Sequence, residues 1–117
     1  MKLADVQIDV RDRVVIASVD GEIDMSNADE VRNALESRIT NDALGLVIDL
    51  TEIRYVDSVG IQVLYELRQR LSTRGQKLAL AVPPGSVAEK TLRLVNAVEY
   101  LGMVDDPDRA AAAVSGT

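Results

Sequence analysis

The sequence predicts an α/β fold, a mixed β-sheet of about four to five strands flanked by about four helices. Two observations lead to this prediction. Strand-like and helix-like segments alternate along the chain, and only a short turn separates the first two strand-like segments. Because short turns join antiparallel strands and parallel strands need longer crossovers, the sheet is expected to be mixed. The length of 117 residues fits a single domain over residues 1–117.

The chain begins with a predicted hairpin between residues 6 and 23. The segment Val6–Val10 alternates apolar and polar residues, which is typical of a half-buried strand. Arg11–Arg13 is expected to turn, and the β-branched run Val14–Val19 is expected to form the second strand. Asp20 and Gly21 are turn-forming residues, so we expect the second strand to break there.

A helix is predicted from about Asn27 to Ile39. Ser26 and Asp29 have the spacing of a capping box, and apolar residues then recur at helical spacing with charges between them. The nearly continuous apolar run Leu46–Leu50 suits a central strand that is covered on both faces. A loop is expected from there through Tyr55.

The next helix is predicted from Ser58 to Thr73, with Gly75 as the stop signal just beyond it. Ser58 is expected to be its N-cap, because serine is among the commonest residues at that position. Gly60 lies in the first turn and costs the helix up to about 1 kcal/mol relative to alanine. Either close backbone approach or close helix-to-sheet packing explains a glycine there.

The last third of the chain continues the alternation. A strand is expected over Leu78–Val82, followed by a helix that begins at a second capping box, S-V-A-E from Ser86. A short strand is expected around Met103–Val104. A D-P pair then supplies a cap and a first-turn proline for a last helix over Asp108–Val114.

The composition excludes several classes of function. The chain has no histidine and no cysteine, so it has no Ser-His-Asp triad, thiolate nucleophile, disulfide or metal site built on those residues. Its net charge is -6 and its only aromatic residues are three tyrosines, which is unlike a nucleic-acid-binding protein. The N-terminus lacks a secretory signal, and no apolar run is long enough to cross a bilayer. These features predict a soluble domain without membrane insertion or direct nucleic-acid contact, which binds a protein or a small molecule.

One face of the second predicted helix carries no charge. Gly60 and the leucines of this helix would face the core, and four uncharged residues would form a row on nearly the opposite side. The members of this uncharged row are Ser58, Gln62, Tyr65 and Gln69. In a protein with 27% charged residues, such a row is either a docking surface or a chance arrangement.

A phosphate on Ser58 would add about -1.5 to -2 charges at the head of this row. The helix N-terminus would tolerate the anion, but a partner docked on a neutral surface would face an unpaired charge. Ser58 is therefore well placed for an on/off switch of binding.

Three aspartates allow a different hypothesis. Asp24, Asp49 and Asp57 lie near the ends of predicted strands, where they could gather around Mg²⁺ in a phosphotransfer or nucleotide-binding protein. The segment Leu46–Leu50 is similar to the phospho-accepting strand of response-regulator receivers, but the acidic pair and the lysine of that family are missing. Neither a P-loop nor a dinucleotide-binding motif occurs. Solvated or capping aspartates are the simpler interpretation.

Two motifs, in the right order, resemble the STAS domain family, and within it the stand-alone bacterial anti-sigma-factor antagonists. The first is Asp20–Asp24 (DGEID), which runs into Ser26-Asn27-Ala28. The second is Tyr55–Ile61 (YVDSVGI), at the head of the second helix. The segment over residues 78–95 also resembles the later strand and helix of these domains, so the resemblance covers most of the chain.

The resemblance implies both a function and a switch. In this family, the serine that matches Ser58 is phosphorylated by an anti-sigma factor that is also a serine kinase. The unphosphorylated form binds that kinase and frees the sigma factor, phosphorylation breaks the complex, and a metal-dependent serine phosphatase restores it. The chain would then be a cytoplasmic kinase substrate and not an enzyme, with no cofactor of its own.

The resemblance and the uncharged row together predict which residues contact the kinase. They are Asp24, Ser26, Asp57, Ser58, Val59, Gly60, Gln62, Tyr65 and Gln69. The chain departs from the family pattern at Val59, where serine or threonine is usual, and at Gln62, where glycine is common. The main alternative is a constitutive STAS subunit of a stressosome-like scaffold or of a lipid-transport ATPase complex.

Overall fold

The computed structural model describes residues 3–95 and 102–116, in which one mixed sheet carries helices on both faces. The strands are β1 (Ala4–Arg11), β2 (Val14–Ile23), β3 (Gly45–Asp49), β4 (Ile53–Val56), β5 (Lys77–Ala81) and β6 (Met103–Val104). The helices are α1 (Ala28–Glu36), α2 (Ser58–Thr73), α3 (Val87–Leu94) and α4 (Pro107–Ser115). The predicted α/β class with a mixed sheet is therefore confirmed.

The strands lie in the order β1-β2-β3-β5-β6, and β4 pairs with the last residues of β2. β1 is antiparallel to β2, and the other pairs are parallel. The hairpin turn between β1 and β2 consists of Asp12 and Arg13, which both have positive φ values, 50° and 68°. Such a two-residue turn matches the twist of the strands it joins.

Alternation along the strands creates two cores. Val15, Ala17 and Val19 of β2 face the main core, which packs against α1, α2 and α3. Val14 and Ile16 face the other side, where a smaller cluster packs against α4. β3 lies between β2 and β5 and is buried on both faces, as the apolar run predicted.

The structure corrects the prediction for the end of β2. This strand does not break at Asp20 and Gly21 but continues to Ile23. Gly21 has φ +125°, and a Cβ atom there would lie 2.1 Å from the carbonyl oxygen of Leu3. The glycine thus permits a close approach of β1 inside the sheet instead of ending the strand.

Two other boundaries were wrong. The segment through Tyr55 was expected to be a loop, but Ile53–Val56 forms β4, whose Tyr55 pairs with Glu22 of β2. α1 ends at Glu36, so Ile39 contributes to the main core from beyond the helix.

The remaining helices follow their sequence signals. α2 spans Ser58–Thr73 as predicted. Ser86 caps α3 by accepting a hydrogen bond from the Glu89 nitrogen at 3.2 Å, and Asp106 caps α4 through the Arg109 nitrogen at 2.9 Å. In the described ranges, no helix is both long and apolar enough to cross a membrane.

Candidate functional site

The N-terminus of α2 is capped by Asp57 and not, as predicted, by Ser58. Asp57 has extended backbone angles, and its Oδ1 accepts a hydrogen bond from the Gly60 nitrogen at 2.9 Å. Its other carboxylate oxygen, Oδ2, accepts a hydrogen bond from the Met25 nitrogen at 3.0 Å. One carboxylate therefore caps the helix and also holds the loop between β2 and α1.

Ser58 is the first residue of α2 and is exposed to solvent. With Asp57 as the cap, its hydroxyl is not needed to satisfy the helix N-terminus. Among the described residues this hydroxyl makes no hydrogen bond. Ser58 is thus held at a fixed place on the surface while its oxygen atom stays accessible.

Gly60 explains how the head of α2 comes so close to the sheet. A Cβ atom on Gly60 would lie 2.8 Å from Val56 Cγ1 and 2.9 Å from the carbonyl oxygen of Ile23. The Asp57 nitrogen donates a hydrogen bond to that same oxygen at 3.1 Å. Both explanations considered for Gly60 apply, because the helix packs closely against the sheet and the nearest sheet atoms include the backbone oxygen of Ile23.

The loop between β2 and α1 is fixed by its own side chains. Asp24 Oδ1 accepts hydrogen bonds from the nitrogen and the hydroxyl of Ser26, at 2.8 and 2.5 Å. Buried Asn27 accepts from the Asp24 nitrogen and donates to the carbonyl oxygen of Glu22, both at 2.8 Å. Ser26 therefore belongs to an Asp24 turn instead of capping α1, whose N-cap is Asn27.

Hydrogen bonding perturbs one carboxyl group of this loop. The Ser26 hydroxyl, and then the Ser26 backbone nitrogen, hold the pKa of Asp24 below its usual value because they stabilise the carboxylate. Asp24 is ionised at neutral pH. It lies in the same loop as Met25, whose backbone nitrogen donates a hydrogen bond to Asp57.

Three exposed apolar side chains come from the segments that meet at Asp57. The exposed fractions are 77% for Met25, 49% for Tyr55 and 40% for Val59. We call Met25, Tyr55, Ser58 and Val59 the Ser58 face. Sequence reasoning missed Tyr55 because it assigned this β4 residue to a loop, and it missed Met25 because the hydrogen bond that joins this loop residue to Asp57 is a tertiary contact. The YVDSVGI motif already contained Tyr55, and its apolar character next to Asp57 was the available signal.

Only some members of the uncharged row of α2 are exposed to solvent. Gln62 and Gln69 are exposed, whereas Tyr65 is half-buried and packs against the main core. Gln69 is eleven residues beyond Ser58, which is about 16 Å along the helix. Ser58 and Gln62 are neighbours on this helix, and Gln69 lies far from the other predicted site residues.

The three aspartates of the Mg²⁺ hypothesis do not form a site. Asp24 and Asp57 accept the local hydrogen bonds described above, and Asp49 Oδ1 accepts from the nitrogen and hydroxyl of Thr51 at 3.0 and 2.6 Å. Within residues 3–95 and 102–116, no group of three potential ligands among His, Cys, Asp and Glu could hold a metal ion. The aspartates act in turns and caps.

The chain is similar in sequence to known proteins. The family model of the STAS domain matches residues 5–110. Anti-sigma-F factor antagonist RsfB of Mycobacterium tuberculosis is 29% identical over 83 residues, which cover 70% of this chain and 66% of that protein. Low affinity sulfate transporter 3 of Stylosanthes hamata is 34% identical over 74 residues, 63% of this chain and 11% of the transporter.

The fold has a similar solved example. A crystal structure of an anti-sigma factor antagonist from Mycobacterium paratuberculosis has a TM-score of 0.79 and 24% identity, over 96% of this chain and 94% of that one. The sequence matches themselves span about two thirds of RsfB and about a tenth of the transporter.

Proposed function

Because this chain belongs to the STAS domain family, we propose that it is an anti-sigma-factor antagonist regulated by phosphorylation of Ser58. The unphosphorylated form binds an anti-sigma factor that is also a serine kinase, and this binding frees the sigma factor. The observation that carries the proposal is the Ser58 face, in which an exposed serine follows the Asp57 cap and the segments that meet at Asp57 carry exposed apolar side chains.

The Ser58 face has the chemistry of a protein interface that a phosphate would disrupt. Met25, Tyr55 and Val59 can bury apolar surface against a partner, and aromatic residues and methionine are enriched in interfaces. A phosphate on Ser58 would place about -1.5 to -2 charges within that surface. Asp24 and Asp57 are acidic neighbours that cannot neutralise it, so the complex would lose affinity.

In this proposal the chain is a substrate and not an enzyme. The Ser58 hydroxyl receives the γ-phosphoryl group of ATP, and the kinase supplies the nucleotide, Mg²⁺ and the base that accepts the proton. A serine phosphatase later removes the phosphate by hydrolysis and restores the binding form. Such a cycle operates where ATP and the transcription machinery are present, so we place the protein in the cytoplasm.

A paired capture experiment tests the switch. Ser58→Ala and Ser58→Glu proteins are used as baits in a lysate of the source organism, and the captured proteins are identified by mass spectrometry. We expect the alanine bait to capture a kinase of the anti-sigma type. The glutamate bait should capture at least about tenfold less of the same kinase. The purified kinase should then phosphorylate the wild-type chain at Ser58 and leave Ser58→Ala unmodified.

Both baits are expected to be folded, because an acidic residue in the first turn of a helix is favourable. Equal thermal unfolding midpoints of the two baits, followed by circular dichroism, provide the control. The same partners on both baits would contradict the switch. Transporter or sensor subunits among them would favour the alternative that the chain is a constitutive STAS subunit. The similarity to a sulfate transporter is the observation that favours this alternative.

A further inference from the structure

β1 offers an open strand edge. It lies at one end of the sheet, and among the described residues only β2 pairs with it. The carbonyl oxygen of Leu3 accepts a hydrogen bond from the Glu22 nitrogen at 2.9 Å, so Leu3 is a hydrogen-bonded position of the hairpin. Because hydrogen-bonded positions alternate in antiparallel pairs, the backbone groups of Val6, Ile8 and Val10 point away from β2.

One face of this edge is apolar. Val6 and Ile8 are half-buried and pack against the main core, and Val10 follows them with 59% of its surface exposed. A shallow groove of about 220 Å³ runs beside them, between β1 and Ala34 and Arg38 near the end of α1. An added strand would bury apolar side chains along this face.

The other face of the edge is charged, with a particular order of signs. Asp5, Gln7, Asp9 and Arg11 follow one another on it. Asp5 lies opposite Asp20 of β2, whose carboxylate is paired with Arg54 at 3.0 Å. Within the described part of the chain, Asp5 itself has no ion pair. Among the described residues, Arg54 thus neutralises Asp20 at the acidic end of this face, whereas the Asp5 carboxylate has no ion-pair partner.

We propose that β1 is a self-association edge, on which a second copy of this chain pairs its own β1 in antiparallel orientation, centred on Ile8. Ile8 then faces Ile8 of the second copy, and Val6 faces Val10. On the charged face Asp5 faces Arg11, twice by symmetry. The outward backbone groups of Val6, Ile8 and Val10 form the new hydrogen bonds.

Charge selects this register over its neighbours. A shift of one residue would place apolar residues against the charged face. A shift of two residues in one direction places Asp5 opposite Asp9, and in the other direction Asp9 opposite Asp9. Both alternatives set like charges directly opposite each other, which is destabilising. The centred register pairs Asp5 with a cation, and Arg11 is available because its present pairs with Asp9 and Asp108 are long and exposed, at 3.3 and 3.7 Å.

The pairing leaves the Ser58 face open. Asp57 and Ile23 lie at the end of the sheet where β1 begins, since Ala4 pairs with Gly21. In an antiparallel pair, the beginnings of the two β1 strands point in opposite directions. The two Ser58 faces of the dimer are therefore at opposite ends, and each can bind a partner.

Sedimentation velocity over concentrations from about 10 µM to about 1 mM tests the proposal. We expect the weight-average mass of the wild-type protein to rise from that of a monomer towards that of a dimer. The Asp5→Arg variant sets two arginines against each other across the interface, and the Arg11→Asp variant sets two aspartates against each other. Each variant should raise the dissociation constant about tenfold or more.

Mixing the two variants gives the decisive result. In the mixed pair, every side chain at position 5 again faces an opposite charge at position 11, so an equimolar mixture should recover the wild-type dissociation constant. Glu52→Arg changes the net charge as Asp5→Arg does but lies away from β1, and it should not alter association. Val10→Pro should weaken association and keep the fold, because the nitrogen of Val10 does not bond to β2 and its side chain is 59% exposed.

A wild-type protein that stays monomeric at all concentrations would overturn the proposal. A dimer that neither charge reversal weakens, or reversed variants that do not associate better when mixed, would also overturn it, because either result assigns the interface to another surface or register.

Discussion

The Oδ2 atom of Asp57 accepts a hydrogen bond from the backbone nitrogen of Met25 at 3.0 Å, which joins the head of α2 to the loop after β2. The other oxygen of the same carboxylate caps the helix through Gly60. The position of Ser58 and the position of the exposed Met25 side chain thus depend on a single group. A change at Asp57 would alter both the stability of α2 and the shape of the Ser58 face.

Replacing Asp57 with alanine should lower the free energy of unfolding by about 1–2 kcal/mol, since it removes an N-cap and leaves the Met25 nitrogen unpaired. Urea unfolding followed by circular dichroism measures the change. Ser58→Ala is the matched control and should stay within about 0.5 kcal/mol of wild type, because its hydroxyl caps nothing. If Ser58→Ala lowers the free energy of unfolding more than Asp57→Ala does, then Ser58 and not Asp57 is the N-cap.

Gly60→Ala should destabilise the protein even though alanine is the better helix former. The added methyl group would lie 2.8 Å from Val56 Cγ1 and 2.9 Å from the Ile23 carbonyl oxygen, which is backbone and cannot easily move. Overpacking of this kind costs about 1–3 kcal/mol, and a clash with backbone falls in the upper part of that range, above the gain in helix propensity of about 1 kcal/mol. Gln62→Ala, at an exposed position of the same helix, should be nearly neutral in the same urea experiment. A stabilised Gly60→Ala variant would refute the packing argument.

Ser26→Ala should raise the pKa of Asp24 towards its ordinary value of about 3.9, because the hydroxyl that stabilises the carboxylate is lost. The pKa of Asp24 is lower in the folded protein than in the unfolded chain, so its carboxylate stabilises the fold at pH values above the unfolded-state pKa. This stabilisation is lost as the pH falls through the folded-state pKa. The variant should therefore lose less stability than wild type on acidification below about pH 4. Titration of the Asp24 carboxyl carbon by NMR checks the shift, and an unchanged pKa would contradict this assignment.

Met25→Ala and Tyr55→Ala should each weaken binding to the captured anti-sigma kinase about tenfold, since both remove exposed apolar surface next to Ser58. Gln69→Ala should have less effect, because Gln69 is about 16 Å from Ser58 along α2. Isothermal titration calorimetry with the purified kinase measures the three affinities. If Gln69→Ala weakens binding more than both others, the interface follows the helix and not the Ser58 face.

Local signals in the sequence predicted the elements that depend on local interactions. The S-V-A-E box starting at Ser86 and the D-P pair at Asp106 supply caps from neighbouring residues, and both helices begin as expected. The apolar run over Leu46–Leu50 predicted a strand buried on two sides, because a nearly continuous run of apolar residues is typical of such a strand. The fold class follows from the order of these elements.

The errors occurred where distant parts of the chain determine the structure. β4 was missed because Arg54 and Tyr55 are exposed, and the segment is a strand only through its pairing with β2. Gly21 resembled a turn residue, but its conformation serves the close approach of Leu3. Ser58 and Asp57 are both good caps by composition, and the additional bond from Met25 is a tertiary contact that favours Asp57.

The pairing of β2 with β1, β3 and β4 also determines the order in which the molecule can open. Amide hydrogens of β2 should exchange with solvent among the slowest, because each side of the strand is covered by a neighbour. The carbonyl groups that hold the Ser58 face belong to Glu22 and Ile23, at the end of this strand. Fraying of α4, which packs on the other face of the sheet, would leave these anchors in place, so the binding surface should survive this partial unfolding and disappear when β2 separates from its neighbours.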